Sequence, residues 1–287
     1  MAVNDLTFEQ MLGGLSRKKG QDALIDSVVN EHSDETDRIV AELVNADRHK
    51  TAALIKIFKR LPDQTLPQIK GMVMGSDVTA ANAAVSVLCK MEEHGVDVGL
   101  DIIQHADPTI ADRGAMILRN IGFDAVPFLR EKLKRENPPK RGLAILMELD
   151  PEAMSFFENA LEEMLGTRDQ ILARYSIDAA ASIGDYALPV LVDLIGSSDP
   201  FEQQNATNAL IKIGEPVVVE LIEELDNPNS ITQQNAMRAL KEIGMPAVPA
   251  LKEALTSDSQ LIKQNATAVL SSSQFKSDKG FFSRFKR

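Results

Sequence analysis

The chain has 287 residues, with 42 Asp and Glu against 31 Lys and Arg for a net charge of −11, one cysteine and no tryptophan. Acidity weighs against a general nucleic-acid binder, which is usually basic, and a lone cysteine excludes an internal disulfide framework and suits a reducing cytoplasm. Met1-Ala2-Val3-Asn4-Asp5 lacks the basic-then-apolar layout of a signal peptide, and no apolar run is long enough to predict a membrane span.

Residues 1–20 read as a lead-in. Thr7 is placed to cap a brief helix through Phe8, Met11 and Leu12 that Gly13-Gly14 ends, and Arg17-Lys18-Lys19 follows as a small basic knot. From Gln21 onward the pattern is helical almost without a break. Leu24, Ile25, Val28 and Val29 mark one apolar face, and Ile39, Val40, Leu43 and Val44 the next. Cys89 lies at helical apolar spacing from Val85, which predicts a buried, inert thiol.

The organising signal is a repeat. Gln203-Gln204-Asn205-Ala206, Gln233-Gln234-Asn235-Ala236 and Lys263-Gln264-Asn265-Ala266 follow one another at thirty-residue intervals. On the same grid lie Ile243, Ile213, Ile183, Ile121, Met91 and Leu61, with a step of 62 between 121 and 183 that Leu149-Asp150 covers. A fixed period of this length predicts stacked helix pairs, each burying its apolar face on its neighbours. Each clear unit opens on an Asp/Ser/Pro turn such as Ser198-Asp199-Pro200. Its first helix runs to a glycine, Gly214 or Gly244, expected to adopt a left-handed stop. Its second helix carries an apolar triplet: Val126, Leu129, Leu133; Leu188, Leu191, Ile195; Val218, Leu221, Leu225; Val248, Leu251, Leu255.

The runs Asn-Ala-x-x-Ala-Leu-x-x-Ile-Gly at 205–214 and 235–244, with Ala125-Val126-Pro127, Ala187-Leu188-Pro189 and Ala247-Val248-Pro249, resemble the short HEAT repeats named after phycobilisome lyases. The resemblance is strong over 107–273 and weaker over 21–106. It implies an all-α, right-handed α-solenoid, armadillo-like in its helical stacking, of about eight to nine helix pairs spanning 21–273, followed by a distinct tail at 274–287. Short HEAT units often carry Arg near the start of the first helix; here Ala111, Ala173, Gln203, Gln233 and Lys263 stand at those positions.

Candidate chemistry is sparse. The histidines, His32, His49, His94 and His105, show no metal-ligand spacing, and Gly13-Gly14 lacks the Lys and Ser/Thr of a phosphate loop. No catalytic residue, metal or other cofactor is predicted. The resemblance to lyase repeats leaves open a bilin-lyase-like enzyme or chromophore chaperone, although a repeat supplies stacking rather than chemistry.

Charge is more informative. With 126, 129 and 133 facing the core, Glu131 falls on the opposite side of its helix, and Asp101, Asp193, Glu223 and Glu253 are its equivalents, with Asn159 as the break. The resemblance implies that second helices line a concave side, making this an acidic column there. Residues 151–250 hold 16 acidic and 5 basic side chains, a net of −11. Two readings stand: Glu as a soluble helix former, or a groove for a basic peptide or helix. The row Asn205, Asn235, Asn265 also reads two ways, as bonds between units or as a grip on an extended peptide. The basic run 130–141 suits a helix C-terminus.

In the tail, Phe281, Phe282 and Phe285 share a helical face beside Arg284, Lys286 and Arg287. That composition fits a second attachment point on a partner, on an anionic membrane surface or on the acidic column itself, against the alternative of a frayed end. The expected function is a cytoplasmic, non-enzymatic, protein-binding scaffold or adaptor.

Overall fold

A computed structural model describes residues 6–134, 138–156 and 159–272. Two compact units form, Met1–Gly142 and Leu143–Arg287. The described residues are helical: α1 (Phe8–Gly14), α2 (Gln21–Glu31), α3 (Thr36–Ala41), α4 (Arg48–Arg60), α5 (Pro62–Met74), α6 (Val78–Leu88), α7 (Glu93–Ile102), α8 (Pro108–Ile121), α9 (Val126–Leu133), α10 (Lys140–Leu149), α11 (Ala160–Leu165), α12 (Gln170–Ile183), α13 (Leu188–Ile195), α14 (Pro200–Ile213), α15 (Val218–Glu223), α16 (Ser230–Ile243), α17 (Val248–Ala254) and α18 (Gln260–Leu270). Helix pairs stacked at a thirty-residue pitch make this the all-α solenoid that the period predicts.

The pitch is written most clearly in the caps. Asp47, Asp77, Asp107, Asp169, Asp199, Asn229 and Ser259 each cap a first helix through the side-chain oxygen, and each accepts a backbone N–H from the first turn. These positions are thirty residues apart except for one step of 62, so the grid runs back to residue 47 without decay. Each cap satisfies donors that the helix cannot satisfy internally.

First helices end on Gly122, Gly184, Gly214 and Gly244, with φ between 59° and 81°. Their ψ values near −130° correct the expected left-handed stop: this is the mirror image of the extended region, open to glycine almost alone. Glu92 holds the equivalent position thirty residues before Gly122, at φ 50° and ψ −120°. Second helices then start with Pro127, Pro189 and Pro249 in their first turns, where no backbone donor is lost.

In the first unit, α2 packs on α4, α5 on α7 and α6 on α8. Thr7 caps α1 with a full capping box to Gln10, and the helix ends at Gly14 with Leu15 as its C-cap. Phe8, Met11, Leu12 and Leu15 join the core that holds Leu54, Phe58, Ile69 and Leu88. α7 lies close against α8, where a Cβ on Gly114 would stand 2.5 Å from the backbone nitrogen of Ile103. In the second unit α12, α14, α16 and α18 stack in sequence, and α15 lies against α17. The apolar triplets are buried or half-buried with one exception: Leu255 is 39% exposed. Leu225 is covered by α18, and among the described residues no helix stands in that relation to Leu255.

Candidate functional site: carboxylate rows on the second helices

The register of the second helices is fixed by side-chain bonds from first helices. Asn205 Nδ2 donates to Leu165 O at 2.7 Å, Asn235 Nδ2 to Ile195 O at 2.7 Å, and Asn265 Nδ2 to Leu225 O at 2.9 Å, each forty residues back. The acceptors are carbonyls at second-helix C-termini, which lack partners within their own helix. This is the structural reading of the asparagine row; the amides are committed to backbone and are not a grip for a peptide.

In the first unit arginine does the same work. Arg113 on α8 donates to Val73 O and Gly75 O, and Arg141 on α10 donates to Ile103 O and His105 O. Arg113 is the sixth residue of α8, as Asn205 is of α14. The arginine missing from Ala111 is therefore present two residues later.

Aligning the acceptor carbonyls Leu165, Ile195 and Leu225 also corrects the acidic column. Two residues before them stand Glu163, Asp193 and Glu223, with Glu253 thirty residues on. Asn159 is not a member: it adopts the left-handed conformation just before α11. The second unit thus carries four exposed carboxylates in unbroken register, and Glu163 is the one sequence spacing missed. Two extra residues between Glu131 and Glu163 hid it.

The two units treat their carboxylates differently. In the first, Asp101 on α7 is ion-paired with Lys70 on α5. Lys132 on α9 bonds Asp97 at 2.7 Å and Glu93 at 3.3 Å, and the Asp97 and Glu93 carboxylates hold its ammonium above the usual lysine range. Glu131 is exposed on α9. In the second unit Asp193, Glu223 and Glu253 are exposed and carry no ion pair among the described residues. One turn before Glu223, Glu220 is half-buried, and its Oε2 has no hydrogen-bond partner among the described residues. Two cations of this unit are engaged between first helices: Lys212 pairs with Asp178 between α12 and α14, and Arg238 donates to Gln204 at 3.0 Å between α14 and α16.

Burial pushes the Cys89 thiol up from its ordinary pKa. No group of three or more His, Cys, Asp or Glu placed to hold a metal occurs among the described residues. No described helix is long and apolar enough to cross a membrane. The tail residues Phe281, Phe282, Arg284, Phe285, Lys286 and Arg287 lie outside the described residues.

Residues 232–257, covering most of α16 and all of α17, match the PBS lyase HEAT-like repeat model. Among solved structures, the chain is similar to Kap121p at 13% identity and a TM-score of 0.34, with 96% of this chain and 38% of that one covered. It is likewise similar to Kap121p bound to RanGTP, at 15% identity and a TM-score of 0.35, with 91% and 31% covered. The chain therefore spans well under half the length of these structures. No curated protein matches the sequence.

Proposed function

We propose that this chain of stacked, HEAT-like helix pairs, whose surfaces are rows of equivalent side chains, is a non-enzymatic protein-binding scaffold or adaptor acting in the cytoplasm. The ligand is a basic peptide or helix, and the second-helix row of Asp193, Glu223 and Glu253 receives it. Asp101 and Glu131 are the corresponding positions of the first unit. One observation carries the reading: Asp193, Glu223 and Glu253 repeat at a fixed pitch with no ion pair among the described residues, whereas Asp101 is neutralised by Lys70. A regular row of like charge favours a ligand with cations at matching intervals and steers its approach.

In this reading the tail, through Phe281, Phe282, Arg284, Phe285, Lys286 and Arg287, is a second attachment point on a partner or an anionic membrane surface. Pelleting with anionic vesicles, with and without residues 274–287, separates the two: equal partition removes the membrane role. For the groove, affinity capture compares wild type with Glu223→Lys/Glu253→Lys. Loss of the same partner from the charge-reversed form supports the row. Unchanged capture returns these carboxylates to a role in solubility.

A further inference from the structure

An acidic chain with a basic cleft calls for an explanation, and the first unit has such a cleft. It encloses about 710 Å³ between the loop after α1, α4 and the end of α6, and Lys18, Arg48, Lys56 and Lys90 line it together with His49. No carboxylate is among its lining residues. The acids closest in sequence are already engaged. Asp47 accepts the Lys50 N–H as the cap of α4 and is held below the usual carboxylate range by that bond and by the Ser16 hydroxyl. Asp22 pairs with the cleft's own Lys56, which leaves Lys18, Arg48 and Lys90 as its uncompensated cations, and Glu42 pairs with Lys50. Lys18, Arg48 and Lys90 are exposed and have no ion pair among the described residues.

The cleft is also held in shape. Gln21 Nε2 donates to Leu15 O at 2.7 Å and to His49 O at 3.0 Å, which ties the loop carrying Lys18 to the first turn of α4 carrying Arg48. Like charges kept together at some electrostatic cost, with their local acids spoken for, are positioned for an outside anion. The lining selects the class of ligand. Its only ring is the imidazole of His49, with no Phe, Tyr or Trp platform for successive bases, against single-stranded nucleic acid. It is recessed, with Ala52 and Ile55 rather than protruding apolar groups, against a bilayer surface. Cations supplied by separate elements match several anionic groups along an extended chain better than one small ion.

We propose that this cleft is a second binding site, for an anionic peptide segment whose charges are carboxylate or phosphate. It lies wholly within the first unit and is independent of the acidic row, so the chain would offer a basic ligand and an acidic ligand separate seats.

The test is fluorescence anisotropy at low ionic strength with three short labelled peptides of one design: Glu-rich, phosphoserine-containing, and a Gln-rich neutral control. The full chain is compared with Lys18→Glu/Arg48→Glu and with Arg168→Glu/Lys241→Glu, which makes the same change in net charge on the second unit. Glu at position 48 suits the N-terminal turn of α4, so a melting profile like wild type is expected and loss of binding reports on the cleft. The expected result is binding of an anionic peptide but not the neutral one, weakened at least about tenfold by the cleft reversal, weakened by added salt, and affected much less by the control pair. Binding of only one anionic peptide supports the site and identifies the anion. No binding, equal binding of the neutral peptide, or equal effects of the two reversals would overturn the proposal. Tighter binding of a single-stranded RNA of equal charge would overturn the peptide assignment.

Discussion

Replacing Asn205 tests whether the asparagine row holds the second unit in register. Asn205 is buried on α14, and its amide supplies the last carbonyl of α11 at 2.7 Å. Truncation to Ala leaves Leu165 O without that donor in a site closed to water, a loss of about 1–3 kcal/mol. Asn205→Asp keeps the shape, removes the donor and sets a negative charge against a helix C-terminus, adding about 0.3–1 kcal/mol to the loss. Asn265 makes the same bond from a half-buried position on α18, so Asn265→Ala sits at the lower end, about 0.5–1.5 kcal/mol. Urea unfolding followed by far-UV circular dichroism gives the order: wild type, Asn265→Ala, Asn205→Ala, Asn205→Asp, from most to least stable, with unchanged slopes. An Asn205→Asp protein as stable as wild type would refute the reasoning, because an isosteric acceptor cannot replace the donor.

Gly114→Ala drives a Cβ into the backbone of Ile103 and costs about 2–3 kcal/mol by the same assay, while Gly13→Ala, with nothing within 4 Å, is neutral or stabilising. Glu92→Gly raises the melting temperature because glycine accepts the φ of 50° that the grid imposes, whereas Glu92→Gln keeps the strain, gives up the charge that pairs with Lys59 and lowers it; the reverse order in thermal melts would contradict the assignment. Cys89 reacts with a thiol reagent more slowly than free cysteine at mildly alkaline pH, since its raised pKa reduces the thiolate, and denaturant abolishes the difference.

Much of the fold was legible because a repeat copies its local chemistry along with its core. Val126, Leu129 and Leu133 bury as their spacing predicts, and Pro127, Pro189 and Pro249 open second helices. The cap row from Asp47 to Ser259 was equally readable, and it carries the grid back to residue 47 with the same step of 62 between 107 and 169. Errors arose where partners lie forty residues away. Arg113 and Asn205 share a structural role that no local pattern links, and Glu163 became visible only through the carbonyl of Leu165 beside it. Leu255 matches the triplet pattern, but burial depends on a covering helix, which pattern alone does not supply. The basic cleft escaped sequence reading because Lys18, Arg48 and Lys90 belong to different helix pairs and meet only through stacking.

The most direct measurement of the central claim is a titration of a labelled Lys/Arg-rich helical peptide against wild type, Asp193→Lys/Glu223→Lys/Glu253→Lys and Asp101→Lys/Glu131→Lys, with the dissociation constant as the readout. Each exposed pair lost is worth about 0.2–1 kcal/mol and reversal adds repulsion, so the three changes in the second unit weaken binding by at least about tenfold. The two changes in the first unit have a much smaller effect, because Lys70 already neutralises Asp101. Affinity untouched by reversal in the second unit, or reduced equally by both sets, would contradict the account.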